Sequence, residues 1–217
     1  MGQQIRGEQN MKILVAIPCM DMVHTGFCRS LVGLRPVGDY VEFRFSQNSL
    51  IYDSRNQIAE YAMTYKFDRV LWVDSDMVFQ PDALQMLSAD LDTGIDYVSG
   101  IFTGRKPPVH PCIYQRINPK GRHGLPEAVP LNDYPKNALF KVAGSGLAFV
   151  LMNTSMIEAV NKKYGYMFSP IVGMGEDLSF CFRAASLGYD MYCDSRVKVG
   201  HIGQVIYNES FISEGKT

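Results

Sequence analysis

The chain has 217 residues, a formal net charge of −1 at neutral pH, 47% hydrophobic residues and 20% charged residues. This composition excludes global intrinsic disorder, and the length suits a single domain. A protein held to nucleic acid by bulk charge would be more basic, so the charge does not indicate nucleic acid as a partner. The apolar runs are far shorter than the roughly 20 residues of a membrane helix, so we expect no integral membrane segment.

The N-terminal segment bears on the domain organisation, and the cysteines bear on the cellular compartment. Residues 1–10 are polar and lack the apolar core of a signal peptide, so we expect a flexible leader followed by one domain over 11–217. The five cysteines include no CxxC pair. This spacing predicts reduced thiols in a cytoplasmic protein rather than a zinc knuckle or a disulfide framework.

Short apolar runs alternate with helical patterns in the first half of the chain. Three segments predict strands: Lys12–Ile17, Tyr40–Phe45 and Arg69–Val73. Ser54 and Gln57 have the spacing of a capping box, which predicts that a helix begins there. The apolar residues that this helix would place on one face are Ile58, Tyr61, Ala62 and Tyr65. Pro81 predicts the start of another helix, whose apolar stripe is Leu84, Leu87 and Leu91.

The second half begins with a strand and a long loop region. Residues 103–137 hold seven of the eleven prolines, which predicts a functional or mobile loop with a short hairpin at 112–117. The predicted strands are Tyr97–Ile101, Gly146–Met152, Tyr189–Cys193 and Arg196–Val199. A capping box at Ser155 and Glu158 predicts one helix, and a second has a face made of Leu178, Cys181, Phe182 and Ala185 and ends at Gly188. This alternation predicts an α/β sandwich with a mostly parallel sheet.

An acidic pair, Asp74 and Asp76, directly follows the predicted strand Arg69–Val73. Ligands of open α/β sheets bind at the carboxyl ends of the strands, and an i, i+2 pair on extended chain points both carboxylates the same way. Such oxygen ligands suit Mg²⁺ or Mn²⁺, which can neutralise a diphosphate leaving group. The alternative is structural, with Asp74 capping a turn and Asp76 in solvent.

Further candidates come from two acidic residues and one histidine. Glu176 and Asp177 follow Gly175 in the first turn of a predicted helix, where they suit either the helix dipole or a general base at a cleft rim. His201, flanked by Gly200, suits either a metal ligand or a hydrogen-bonded structural histidine. The other histidines, which we treat as non-catalytic, are His24, His110 and His123.

Two basic residues suit contacts with a substrate. Arg55 lies in the predicted first turn of the helix that Ser54 caps, where a guanidinium and free N–H groups would converge on a phosphate. The alternative is a surface arginine paired with Asp53. Arg105 lies in the long loop region, either against a substrate or in a solvated basic turn with Lys106.

The order of the motifs resembles that of nucleotide-sugar-dependent glycosyltransferases with the GT-A fold, especially glycosyltransferase family two. The motifs are Ile17-Pro18-Cys19, Ser54-Arg55-Asn56, Asp74-Ser75-Asp76, Gly144-Ser145-Gly146, Gly175-Glu176-Asp177 and Gly200-His201. The resemblance implies a GT-A-like three-layer α/β sandwich with a mostly parallel central sheet. It also implies transfer of a sugar from a UDP- or GDP-sugar to an unknown hydroxyl acceptor, with nucleic acid still open as the acceptor. A single displacement would invert the anomeric carbon, which we favour, and a retaining route stays open if Asp177 lies too far from that carbon.

The same resemblance implies a role for each matching residue. The residues that would bind the nucleotide sugar are Pro18, Cys19, Met20, Ser54, Arg55, Asp74 and Ser75. The residues that would hold Mn²⁺ or Mg²⁺ are Asp74, Asp76 and His201. Asp177, or failing it Glu176, would deprotonate the acceptor. The residues that would line the acceptor side are Arg105, Gly144, Ser145 and Gly146.

The sequence departs from the family pattern in two places. Ser46-Gln47-Asn48 stands where the family has an acidic residue after the second strand, which leaves the nucleotide open. There is no QxxRW string, which argues against a processive polysaccharide synthase.

Three other functions stay open. Asp74-Ser75-Asp76-Met77-Val78 resembles the DxDx(T/V) nucleophile strand of haloacid-dehalogenase-like phosphatases, although two predicted strands precede it. A non-catalytic module that binds a nucleotide or a glycan would keep the fold without the chemistry. A nucleotidyltransferase is weaker, since residues 20–33 lack the glycine- and basic-rich loop that such enzymes carry.

Overall fold

The computed structural model describes residues 11–47, 49–105, 107–121 and 124–203. The predicted leader over residues 1–10, Lys106 and His123 lie outside the described residues. The strands are β1 (Lys12–Pro18), β2 (Tyr40–Ser46), β3 (Arg69–Val73), β4 (Met77–Val78), β5 (Tyr97–Ile101), β6 (Ile113–Asn118), β7 (Glu127–Pro130), β8 (Leu139–Val142), β9 (Gly144–Ser145), β10 (Phe149–Asn153), β11 (Met191–Lys198) and β12 (Gly200–His201). The helices are α1 (Thr25–Gly33), α2 (Ile51–Thr64), α3 (Ala83–Leu91), α4 (Thr154–Tyr164) and α5 (Glu176–Ala185).

A seven-stranded sheet with the order β2-β1-β3-β10-β5-β11-β8 forms the centre of the fold. β1 runs parallel to β2 and β3, and β5 runs parallel to β11. β10 is antiparallel to both β3 and β5, and β8 is antiparallel to β11. Five of the seven strands therefore share one direction, which confirms the predicted mostly parallel sheet.

Helices cover both faces of this sheet, because its inner strands are apolar on both sides. On one face, Val15 and Leu71 pack with Phe27 of α1 and Leu84 of α3. On the other face, the buried cluster includes Trp72 and residues of α2, α4 and α5. Each fully buried large apolar side chain stabilises the fold by about 1.5–3 kcal/mol. The result is a three-layer sandwich, and the continuous apolar runs of β1 and β3 explain why these two strands could be predicted from the sequence.

Both capping-box predictions are wrong. The helix α2 begins at Ile51, so Ser54 lies inside it, and its hydroxyl is 2.6 Å from that of Ser49. The helix α4 begins at Thr154, directly after β10, and the N–H of Thr154 donates to the carbonyl of Asp68. In α4, a backbone partner supplied by the tertiary fold thus replaces the side-chain cap that the spacing predicted.

Other elements differ from the prediction in extent or were missed. The helix α1 was not predicted; it is only nine residues long, and Phe27 is its one buried residue. The strands predicted at Tyr189–Cys193 and Arg196–Val199 are one strand, β11, and the strand predicted at Gly146–Met152 is β10, which begins only at Phe149. In α5, Phe180 and Ala184 are buried, whereas the predicted Ala185 is exposed.

The predicted long loop region is partly ordered into a second sheet. In this sheet β6 pairs antiparallel with β7 and with β9. The short strands β4 and β12 also pair with each other. None of the described helices is long and apolar enough to cross a membrane.

Candidate functional site

The acidic pair lies in a tight turn at the carboxyl end of β3. The N–H of Asp74 donates to the carbonyl of Ala148, and the N–H of Met77 donates to the carbonyl of Asp74 at 3.2 Å. The expectation of two parallel carboxylates on extended chain is therefore wrong, because this turn redirects the chain into β4. Asp74 and Asp76 instead face different partners.

His201, which is near the C-terminal end of the described residues, lies beside Asp76. Pairing of β12 with β4 sets His201 opposite Met77, and Nε2 of His201 is 3.4 Å from Oδ2 of Asp76. Nδ1 of His201 is 2.8 Å from the carbonyl oxygen of Thr103. Because that oxygen only accepts, neutral His201 carries its proton on Nδ1 and turns the Nε2 lone pair toward Asp76. Two acceptors that face each other suit a cation between them, and a backbone carbonyl is a usual partner for a metal-binding histidine.

Arg105 also contacts Asp76. Its Nη1 donates to Oδ2 of Asp76 at 2.7 Å, and about half of its side chain is exposed. The sequence predicted Arg105 on the acceptor side, but in the structure it lies against the metal-suited pair. The reason is that the chain after β5 runs beside β12, which brings Arg105 within 3.4 Å of the carbonyl of Ile202.

Arg55 is buried and connects the acidic turn to the start of α5. Its side chain is 2% exposed, Nη2 donates to Oδ1 of Asp74 at 2.8 Å, and Nε donates to Oε1 of Glu176 at 3.3 Å. Burial opposes its charge, but Asp74 and Glu176 outweigh burial and raise the pKa of Arg55. The prediction of Arg55 in the first helical turn is wrong, since α2 begins at Ile51. The alternative prediction of a surface arginine paired with Asp53 is also wrong, because Arg55 is buried and pairs with Asp74 and Glu176.

The predicted three-ligand set is not assembled. Among the described residues, no three His, Cys, Asp or Glu side chains converge on one point where a metal could lie. Asp74 is held by Arg55, which leaves Asp76 and His201 as the converging pair. Two protein ligands fit Mg²⁺ or Mn²⁺, because such ions commonly keep several water ligands and bind substrate phosphates.

Asp177 lies in the first turn of α5, and Oδ1 accepts the N–H of Leu178 at 2.7 Å. Burial first, and the neighbouring Glu176 next, raise the pKa of Asp177 to about 6. A Cβ at Gly175 would lie 2.8 Å from Oδ1 of Asp177, and one at Gly146 would lie 3.6 Å from Oδ2. Glycine at these positions leaves room for the carboxylate, and a carboxyl group with this pKa suits a general base near neutral pH.

The Gly144-Ser145-Gly146 turn lies beneath Asp177 rather than on an exposed acceptor surface. Ser145 is fully buried, with its hydroxyl 2.8 Å from that of Tyr97. Gly144 packs against α5, where an added Cβ would lie 2.8 Å from Cβ of Cys181. Because Gly144 and Ser145 are enclosed between β6 and α5, they support Asp177 from below, and their assignment to the acceptor side stays a prediction.

Nothing in the sequence indicates that Cys112 and Phe102 lie close to Asp177. Burial is the main cause of the raised pKa of Cys112 and of Tyr114, and the charge of Asp177 contributes to both shifts. The ring of Phe102 lies 3.0 Å from the Cβ position of Gly146. No local motif marks these residues, because their approach to Asp177 depends on the pairing of β6 with β9.

A cavity of about 230 Å³ adjoins the acidic turn. The residues that line it are Pro18, Cys19, Met20, Ser49, Ile51, Ser54, Asp74, Ser75 and Asp76. The fold therefore gathers all of the residues predicted to bind the nucleotide sugar except Arg55, which is buried behind Asp74. Two larger cavities of about 690 Å³, beside Lys162 and beside Phe43, contain no predicted site residue.

No protein-family model and no curated protein sequence matches the chain. Solved structures do match. The chain is similar to A197 from STIV, with a TM-score of 0.63 and 17% identity over 89% of this chain and 86% of that one. It is also similar to GalNAc-T7, solved with UDP, GalNAc and Mn²⁺, with a TM-score of 0.59 and 12% identity over 91% of this chain.

The chain spans 45% of the matched GalNAc-T7 chain. At these identities the two similarities concern the fold alone, which is of the GT-A type, as the order of the motifs implied. Membership of glycosyltransferase family two stays a prediction.

Proposed function

We propose that the protein is a metal-dependent glycosyltransferase that moves a sugar from a UDP- or GDP-sugar to an acceptor hydroxyl with inversion. One observation carries the proposal: the Asp76–His201 pair lies at the carboxyl end of β3, beside a cavity lined by the expected donor-binding residues. In the fold type of this chain, that edge of the sheet is where ligands bind. The Mn²⁺ and UDP bound to GalNAc-T7 are consistent with the same class of ligands here.

The donor would occupy the cavity between β1 and the acidic turn. Pro18, Cys19 and Met20 would contact the base, and Asp74 and Ser75 the ribose. Asp76 and His201 would hold Mn²⁺ or Mg²⁺, which when bound compensates the charge of the leaving diphosphate. Arg55 would position Asp74 and Glu176 rather than touch the nucleotide, because its Nη2 and Nε donate to these carboxylates and its side chain is only 2% exposed.

Asp177 would accept the proton of the acceptor hydroxyl. As that O–H bond breaks, the oxygen attacks the anomeric carbon, and the bond from this carbon to the diphosphate oxygen breaks with its electron pair. A single displacement of this kind inverts the anomeric configuration. Asp177 is better suited than Glu176, since Glu176 is paired with Arg55.

The phosphatase interpretation is not retained. It would make Asp74 the nucleophile, but Oδ1 of Asp74 accepts from buried Arg55 at 2.8 Å. The fold also differs, because the acidic turn follows the third strand of a GT-A sheet rather than the first strand of the chain.

The test is release of UDP or GDP from a panel of nucleotide sugars in the presence of Mn²⁺. We expect turnover of at least one donor, and a loss of about 100-fold in Asp76→Ala, the scale of removing one charge-stabilising group. Glu158→Ala, which removes an exposed carboxylate on α4, is the matched control and should retain activity. Nucleotide binding without any release would favour the non-catalytic module, and undiminished activity of Asp76→Ala would refute the metal assignment.

A further inference from the structure

The two carboxylates of the acidic turn are paired with arginines that differ greatly in their exposure to solvent. Asp74 pairs with Arg55, whose side chain is 2% exposed. Asp76 pairs with Arg105, whose side chain is 50% exposed. A buried pair is costly to break, whereas an exposed pair is weak and exchanges readily with solvent. The turn therefore has one permanent and one displaceable counter-charge.

Arg105 binds the same oxygen that faces His201. Its Nη1 lies 2.7 Å from Oδ2 of Asp76, and Nε2 of His201 lies 3.4 Å from that oxygen. A divalent ion between Asp76 and His201 would coordinate at about 2.0–2.2 Å. The guanidinium and the ion would then compete for the same lone pairs and repel each other at short range.

The segment that carries Arg105 is held at its base and exposed beyond it. Thr103 forms an isolated bridge with Pro111, and the N–H of Gly104 donates to the carbonyl of His110 at 3.0 Å. Val109, between these anchors, is 57% exposed. A swing of the Arg105 side chain therefore does not require the sheet or the His201 strand to move.

We propose that Arg105 is an internal counter-ion that a divalent metal must displace from Asp76, and that the freed guanidinium then binds the diphosphate of the nucleotide. This inference rests on the proposed function and describes how that function would be regulated. A guanidinium suits phosphate oxygens because it offers paired donors in a planar fork. Metal and nucleotide binding are thereby coupled, since the metal releases the arginine that the nucleotide uses.

The test measures Mn²⁺ affinity from the electron paramagnetic resonance signal of free Mn²⁺, in the absence of nucleotide. Arg105→Gln should bind Mn²⁺ about two- to five-fold more tightly than the wild type, the range expected for losing one exposed ion pair. The matched control is Arg116→Gln, which removes the same charge from another exposed ion pair, with Glu127, and should leave the Mn²⁺ affinity unchanged. With Mn²⁺ saturating, UDP should bind more weakly to Arg105→Gln than to the wild type.

The outcomes separate this inference from the proposed function. If Asp76→Asn abolishes Mn²⁺ binding but Arg105→Gln binds Mn²⁺ no more tightly than the wild type, the metal site stands and the displaceable arginine is refuted. If Arg105→Gln binds Mn²⁺ more tightly but UDP equally well, the second half of the proposal fails. If neither the wild type nor Arg105→Gln binds Mn²⁺, the metal site and the arginine proposal both fail.

Discussion

Asp177 and Glu176 are adjacent in the first turn of α5, yet their surroundings give them different properties. Glu176 accepts from Arg55 at 3.3 Å and so has a fixed cationic partner. Asp177 lies beside Gly146 and Gly175, and burial together with the charge of Glu176 raises its pKa to about 6. Asp177 is thus a carboxyl group that is half ionised near pH 6, next to a carboxylate that Arg55 holds.

The pH profile of transfer follows from this pKa. Because a base must be ionised to accept a proton, turnover by the wild type should rise from pH 5 to pH 7, with a midpoint near 6. Asp177→Asn should lose about 100-fold or more in turnover across this range and keep its nucleotide affinity. Steady-state rates and nucleotide titrations of both proteins check this, and unchanged turnover in the variant would move the base to another residue.

A second pair of carboxylates lies away from the site, between α3 and β11. Oδ1 of Asp90 lies 2.7 Å from Nη2 of Arg196, and Oδ1 of Asp194 lies 2.8 Å from Nε of the same arginine. The Oδ2 atoms of both carboxylates are buried without a hydrogen-bond partner among the described residues. Burial first, and Asp194 next, raise the pKa of Asp90 to about 6. A proton shared between the two carboxyl groups would satisfy both oxygens.

Because of the raised pKa of Asp90, the free energy of unfolding should fall as the pH rises. The folded state holds a proton on Asp90 that the unfolded chain releases near 3.8, so stability is lost as the pH rises from about 4 to above 6. Asp90→Asn keeps a donor toward Asp194 without titrating. Its free energy of unfolding should therefore exceed that of the wild type by about 1 kcal/mol at pH 7.5, allowing for screening at the exposed Arg196, and the gain should vanish near pH 4. Urea unfolding at both pH values checks this, and a pH-independent difference would contradict it.

At the scale of elements, close packing of β9 against α5 fixes the position of the first turn of α5, which carries Asp177. A Cβ at Gly144 would lie 2.6 Å from Cδ1 of Ile117 and 2.8 Å from Cβ of Cys181. These atoms belong to β6 and to α5, so a side chain at Gly144 would push the two elements apart. The position of Asp177 relative to the cavity beside the acidic turn therefore depends on the absence of a side chain at Gly144.

Gly144→Ala should for this reason reduce both stability and activity. We expect a loss of about 1–3 kcal/mol in the free energy of unfolding, the usual cost of overpacking, together with a fall in turnover. The control is Gly33→Ala at the end of α1, where an added Cβ meets no atom within 4 Å. That variant should be neutral or more stable by up to about 1 kcal/mol, because alanine favours helix. Denaturant unfolding and activity assays of both variants check this. Equal stability and equal activity of the two variants would contradict the prediction.

At the scale of the whole molecule, one edge of the sheet collects parts of the chain that are far apart in sequence. The turn after β3, the β4–β12 pair and the start of α5 all lie there. Ligands that join these parts should stabilise the entire fold, because they bind only the folded state. The metal and the nucleotide should therefore act together rather than independently.

Thermal unfolding should report this linkage. At about 100 times the dissociation constant a ligand adds about 2.7 kcal/mol, which for a chain of this size raises Tm by about 5–10 °C. We expect that shift with UDP and Mn²⁺ together, a smaller one with UDP alone, and only the smaller one in Asp76→Ala. Equal shifts with and without Mn²⁺ would contradict coupling through the acidic turn. Differential scanning fluorimetry over a concentration series is sufficient for the measurement.

The amino-acid sequence by itself determined the strands β1, β3 and β5, the α/β class, the acidic pair directly after β3 and the carboxylates at the start of α5. These features follow from local patterns, because burial on both faces requires continuous apolar runs and short-range spacing marks a helix face. Only the tertiary structure decided that α2 begins before Ser54, that Arg55 is buried between Asp74 and Glu176, and that Arg105 and His201 meet at Asp76. The physical reason is that ion pairs and strand partners form between residues remote in sequence, so sheet register and packing select them, and no local pattern records that choice.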